Sequence, residues 1–196
     1  LGVTPTTVWI FPRSNGDNHL ASNWETGISV YSEQWKLQVN DAAESSANHV
    51  TAASSTTFTL GTDDNVNGSS RTYAAYSFVE VVGFSKFGTY TGHGETDGTY
   101  AFCGFTPEMV MMKFDGDGED WVIFDRARDT YNPATKYIYP NDSAAEATDS
   151  DIVIDFLSNG FKTRGTDKRI NGNDGIYVFA AFAKHPFGGD GVAASP

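Results

Sequence analysis

An all-β fold, an antiparallel sandwich of jelly-roll type with an internal duplication, is what this sequence predicts, on three observations. Twenty glycines, with Thr, Ser, Asn and Asp abundant and Leu, Lys and Glu scarce, disfavour long helices and favour strands joined by tight turns. Short apolar runs alternate with polar residues at a period of two, which turns one row of side chains inward and the other to water. Finally, residues 61–78 (GTDDNVNGSSRTYAAYSF) align without a gap on residues 165–182 (GTDKRINGNDGIYVFAAF).

In chain order, Val8 to Phe11 reads as a strand that Pro12 stops, and Arg13 to Asn18 carries the Asn-Gly chemistry of a turn. Ile28 and Val30, then Trp35, Leu37 and Val39, alternate with polar partners as two half-buried strands, with a turn at Ser32 to Gln34. Asp41 to Ser55 is small and polar and reads as a loop or at most one helical turn. Thr56 to Leu60 and Thr72 to Val82 are strands around a Gly/Asn/Asp turn, a hairpin by its Asn67-Gly68 pair. Met109 to Phe114 is nearly continuous apolar, which suits a strand buried on both faces. Further strands are expected at 121–124, 136–139, 152–156 and 176–182, with a short helical turn between Ser143 and Ser150.

Two more matches in the same order support the duplication. Asn40 to Glu44 resembles Asn141 to Glu146 with one insertion, and Trp9 to Arg13 echoes Trp121 to Arg126. Two copies are too few for a solenoid, so a pseudo-symmetric pair of β units follows. The organisation read from this is a first repeat at 1–82, a Gly/aromatic crossover at 83–105, a second repeat at 106–187 and a C-terminal tail at 188–196.

A chain of 196 residues, 39% hydrophobic and 14% aromatic, can bury a core without covalent staples. Its net charge of −12 repels phosphate backbones and anionic membranes, so neither nucleic acid nor membrane insertion is an expected partner. No stretch reaches the apolar length of a membrane span. The single Cys103, between Phe102 and Phe105, has no internal disulfide partner and suits assembly in a reducing cytoplasm. The absence of an initial Met and the early strand suggest a piece of a longer protein.

No catalytic signature emerges. The densest set of hard oxygen ligands is Asp115, Asp117 and Glu119, which could hold a weakly bound Ca²⁺ on a glycine-bearing loop; no other cofactor is expected. An EF-hand reading fails because its twelfth position is Arg126. The four histidines lack ligand spacing, and His93 lies in a glycine loop beside Glu95 and Asp97. There is no Gly-x-Ser-x-Gly elbow and no phosphate loop. Trp24, Trp35, Tyr90 and Tyr131, with His93, are the candidates for stacking on a sugar or meeting a partner. The loop from Thr89 to Gly98 is the expected contact region.

The succession YAAYSFVEVVGFSKFGTYTGHGETDGTYAFCGFTPEMVMMK, DWVIFDRARDTYNP, IDFLSNGF and YVFAAFAKHPFGG resembles a β-rich C-terminal domain of tailed-bacteriophage virion proteins. The likeness covers Tyr73 to Gly189. In such proteins this domain often follows a concanavalin-like, laminin-G-type jelly roll, of which residues 1–72 would then be the end. The resemblance implies a non-enzymatic virion component: a tail fibre, spike or capsid-surface protein that serves assembly or host attachment. Its partners would be other copies of itself, other virion proteins and a host-surface glycan. It supplies no catalytic residues; Gly83 to Gly88 and Ala183 to Phe187 read as structural turns and stops. A carbohydrate-binding module of a secreted or surface protein is the alternative.

Overall fold

The computed structural model describes residues 2–13, 19–22, 33–45, 48–116 and 118–186. The first half contributes β1 (Thr7–Pro12), β2 (Leu20–Ser22), β3 (Glu33–Lys36), β4 (Glu44–Ser45), β5 (Val50–Ala53), β6 (Phe58–Leu60), the helical turn α1 (Asp64–Asn67) and β7 (Tyr73–Phe78). The second half adds β8 (Ser85–Thr91), β9 (Tyr100–Phe102), β10 (Pro107–Phe114), β11 (Val122–Asp125), β12 (Lys136–Tyr137), β13 (Ala147–Thr148), β14 (Ile154–Leu157), β15 (Gly160–Thr163), α2 (Lys168–Asn171) and β16 (Ile176–Ala183). The named strand pairs are antiparallel throughout, and the fold is all-β.

The two halves are built alike, down to single hydrogen bonds. Gly2 and Gly104 both take a positive φ, of 87° and 81°, and each precedes a Thr-Pro pair two residues on. Their N–H groups donate to Ser55 O and Asn159 O, at the tips of the β5–β6 and β14–β15 hairpins. β1 then pairs β7 with Pro12 opposite Tyr73, as β10 pairs β16 with Phe114 opposite Tyr177. β2 flanks β1 as β11 flanks β10. Each hairpin leads into Gly-Thr-Asp, where Asp63 or Asp167 caps the helical turn by accepting from the N–H two residues on, at 2.8 Å in both. The turn ends at Asn-Gly, and Ser70 (φ 59°) and Asp174 (φ 56°) occupy the same left-handed position.

A tyrosine latches each turn to the strand that follows. Gly172 N–H donates to the Tyr177 hydroxyl at 2.6 Å, which donates to Lys168 O at 2.5 Å. Tyr73 makes the same pair of bonds with Gly68 N–H and Asp64 O, at 2.7 and 2.6 Å. Gly61 and Gly165 are needed because a Cβ at either would run into the carbonyl of Asn48 or Asp151.

The cores follow from the period of two. β1 sends Val8 and Ile10 to one core with Leu20, Val50 and Val66. It sends Trp9 and Phe11 to another, between the sheets. β16 divides likewise: Tyr177, Phe179 and Ala181 join one core with Val110, Met112 and Phe161, while Val178 and Ala180 face the intersheet core with Trp35, Phe87 and Trp121. The large sheets, ordered β4-β3-β2-β1-β7 and β11-β10-β16-β8, therefore pack face to face, each carrying its hairpin and helical turn on the outer side. Trp121 Nε1 also crosses the join, donating to Lys36 O at 2.9 Å.

Several sequence expectations are corrected. The segment 41–55 is not a loop throughout: it contains β4 and β5, because fully buried Val50 anchors β5 and β6 supplies the pairing that the polar sequence alone does not announce. The hairpin turn at 61–71 contains α1, set by the Asp63 cap. The helical turn expected within 143–150 is absent; β13 lies there, and α2 follows Asp167 instead. Gln34 is buried in β3 rather than in a turn. The strand expected around Ile28 and Val30 lies outside the described residues. The crossover at 83–105 holds β8 and β9, which complete the second unit. Register also replaces the Trp9/Trp121 match: β1 corresponds to β10, and Trp121 precedes the counterpart of β2.

Candidate functional site

The sequence candidates scatter. Trp24 and Asp117 lie outside the described residues. Trp35 is 3% exposed in the intersheet core, and Tyr90 is 7% exposed. The Tyr90 ring stacks on Tyr177 at 4.8 Å and 8°, and its hydroxyl donates to Ile170 O at 2.7 Å. Burial pushes the Tyr90 hydroxyl well above its ordinary pKa. Neither ring offers a face to a sugar, so the expectation of contact at Trp35 and Tyr90 is corrected. Tyr131, 82% exposed, and His93, also exposed, do reach solvent.

The loop containing His93 is tied down by hydrogen bonds. Asn171 is fully buried and its carboxamide spans the loop: Nδ2 donates to Glu95 O at 2.7 Å and to Gly165 O at 2.8 Å, while Oδ1 accepts from His93 N–H at 2.9 Å. Asp97 bridges Lys162 and Arg164, at 2.6 and 2.5 Å, and Lys162 first among them draws its carboxyl below the usual value. Arg164 also reaches Asp155 at 2.6 Å, so both carboxylates beside the cleft of about 510 Å³ at Pro133, Val153 and Asp155 are neutralised.

The acidic loop is organised from within. Lys113 is fully buried, and its ammonium donates to Phe114 O at 2.5 Å and Gly116 O at 3.1 Å. Glu119 turns away to Lys168 and Arg169, at 3.6 and 3.7 Å, and the Asp115 backbone pairs with Ile176 and Ala43. Among the described residues no group of three or more His, Cys, Asp or Glu side chains is placed to hold a metal ion. Lys168 caps the Phe114 ring at 4.7 Å beside an open depression of about 590 Å³ with Asp115 and Asp174.

The surface that sequence reading missed is on β9. Ala101 and Cys103 point inward, so Tyr100 and Phe102 point out, with Phe102 59% exposed. They rim a cleft of about 400 Å³ between β8 and β9, with Lys86 and Thr89 on its other wall. The alternation in TYAFCG signals this, but the glycines around it mask the strand. Burial pushes the neighbouring Cys103 thiol up to about 12, which makes it a poor nucleophile. The arrangement suits contact by apolar burial at an edge strand.

Residues 1–186 match the family model described as Domain of unknown function (DUF7483). No curated protein and no solved structure matches the chain.

Proposed function

The chain belongs to the DUF7483 family, and we propose that it is a non-enzymatic structural component of a phage virion surface, in a tail fibre, spike or capsid decoration. It associates with copies of itself and with other virion proteins, serving assembly or host attachment after folding in the host cytoplasm. The observation that carries this reading is the pair of rings on β9: Tyr100 and Phe102 stand out of an edge strand paired to β15, and Phe102 is 59% exposed. Burying one such ring contributes about 1.5–3 kcal/mol, and a fixed strand loses little conformational entropy on docking. The virion assignment is supported by the sequence resemblance of Tyr73 to Gly189.

Light scattering on the purified protein tests the assembly. An oligomer that Phe102→Asp reduces to a monomer with unchanged melting temperature is expected. A monomeric parent at high concentration, together with particles that an antibody against this chain leaves unlabelled, overturns the proposal. Glycan binding is the second reading, favoured by the exposed ring of Tyr131 beside Asn132. On a glycan array it requires a signal that Tyr131→Ala removes.

A further inference from the structure

The two units differ at the edges of their sheets, and on one side repeat symmetry says what fits there. In the second unit, residues 85–102 form an arm. β8 covers the outer edge of β16, and β9 covers the outer edge of β15. The counterparts in the first unit, β7 and β6, have no strand on these edges among the described residues. The difference reaches the side chains. Ala75, Tyr76 and Ser77 of β7 are exposed, Tyr76 by 56%, where their counterparts Phe179, Ala180 and Ala181 are buried.

The groups that grip the arm are also present in the first unit. Asn171 holds the arm through His93 N–H and Glu95 O; its counterpart Asn67 makes the matching internal bond to Gly61 O at 2.9 Å and is exposed. Thr163 N–H donates to Thr99 O of the arm at 3.0 Å; by hairpin register, Ile154 opposite Thr163 as Val50 is opposite Leu60, its counterpart is Leu60, which is half-buried on an edge that no strand covers among the described residues. Tyr177 receives the Tyr90 ring; its counterpart Tyr73 is latched identically and half-buried.

We infer that the outer edges of β7 and β6 form a docking surface for an extended two-strand arm with the chemistry of residues 85–102. The occupant adds one strand to β7 and one to β6, stacks an aromatic ring on Tyr73, and passes Asn67 with a glycine-rich bend. The glycines are steric requirements: at Gly92 a Cβ would meet Gly172 O, and at Gly98 it would meet Thr163 Oγ1. Open strand edges accept such additions through main-chain bonds, with alternate side chains supplying specificity. The inference rests on the repeat geometry and stands apart from the virion reading.

A synthetic peptide of residues 83–103, added to the intact protein, tests it by backbone hydrogen exchange. Slowed exchange in 58–60 and 73–78 is expected. A Gly92→Val peptide should give none. The protein variant Asn67→Ala should weaken binding about ten-fold, with thermal melting confirming that it still folds, and Tyr76→Lys should weaken it on the other edge. Absence of protection at millimolar peptide overturns the inference. So does protection confined to 176–182, which would mean exchange with the resident arm, or full protection of the β7 outer edge in the protein alone.

Discussion

At the level of single residues the latch tyrosines concentrate the most stability on one atom each. Tyr177→Phe leaves Gly172 N–H and Lys168 O without their shared partner in a buried setting, so a loss of about 1–3 kcal/mol is expected in denaturant unfolding. Tyr73→Phe, in a wetter setting, should cost no more than about 1.5 kcal/mol. Asp63 offers a pH test. Burial opposes its ionisation, but the Asn65 amide and His49, 3.2 Å away, outweigh that and hold the carboxyl below its ordinary value of 3.8. A lowered folded pKa stabilises above the unfolded value and is lost as pH falls through the folded one. Asp63→Asn should therefore lower the melting temperature most at neutral pH and progressively less below about pH 4, which flattens the acid decline. The Gly-Thr-Asp and Asn-Gly signatures are plain in the sequence. The latch is not, because a tyrosine at the head of a strand gives no sign of which carbonyl its hydroxyl will find.

Among the elements, β16 is the least tolerant of change. It is paired on both edges and buried on both faces, with Ala180 fitted between the sheets. Ala180→Leu should cost about 1–3 kcal/mol by overpacking, measured by chemical unfolding. The acidic loop makes the opposite case. Because the Lys113 ammonium already gathers the Phe114 and Gly116 carbonyls, a chelator should leave the melting temperature unchanged. Legibility varied with side-chain size. The runs Val8 to Phe11, Met109 to Phe114 and Ile176 to Phe182 name their strands through apolar alternation. β5 and β8 are obscured by small residues: Thr51 to Ala53 lack an apolar pattern, and Gly88 reads as a breaker although its missing side chain makes room for the Phe179 ring, 3.1 Å from where a Cβ would stand. The candidate surface suffered likewise, since aromatic residues such as Trp35 and Phe102 look equivalent until strand pairing sends one inward and the other out.

Across the whole molecule the intersheet core makes the two units one cooperative body, because neither large sheet buries its inner face alone. Calorimetry should show a single transition, and Trp121→Ala should lower it as a whole, by about 3–5 kcal/mol, without splitting it. The duplication was readable at residues 61–78 and 165–182, where turn chemistry constrains identity. It was misaligned at the tryptophans, where only hydrophobicity is constrained and β1 and β10 share little beyond Val8 and Val110. The unequal strand edges carry a mechanical consequence. A load carried along β16 meets seven residue pairs on each side, all strained together in shear. The β5–β6 hairpin holds three pairs, and peeling apart from one end breaks them in turn. Under tension the first unit should yield before the second, so stretching single molecules should release a short length of chain at low force while the strand ladders around β16 still bear the pull.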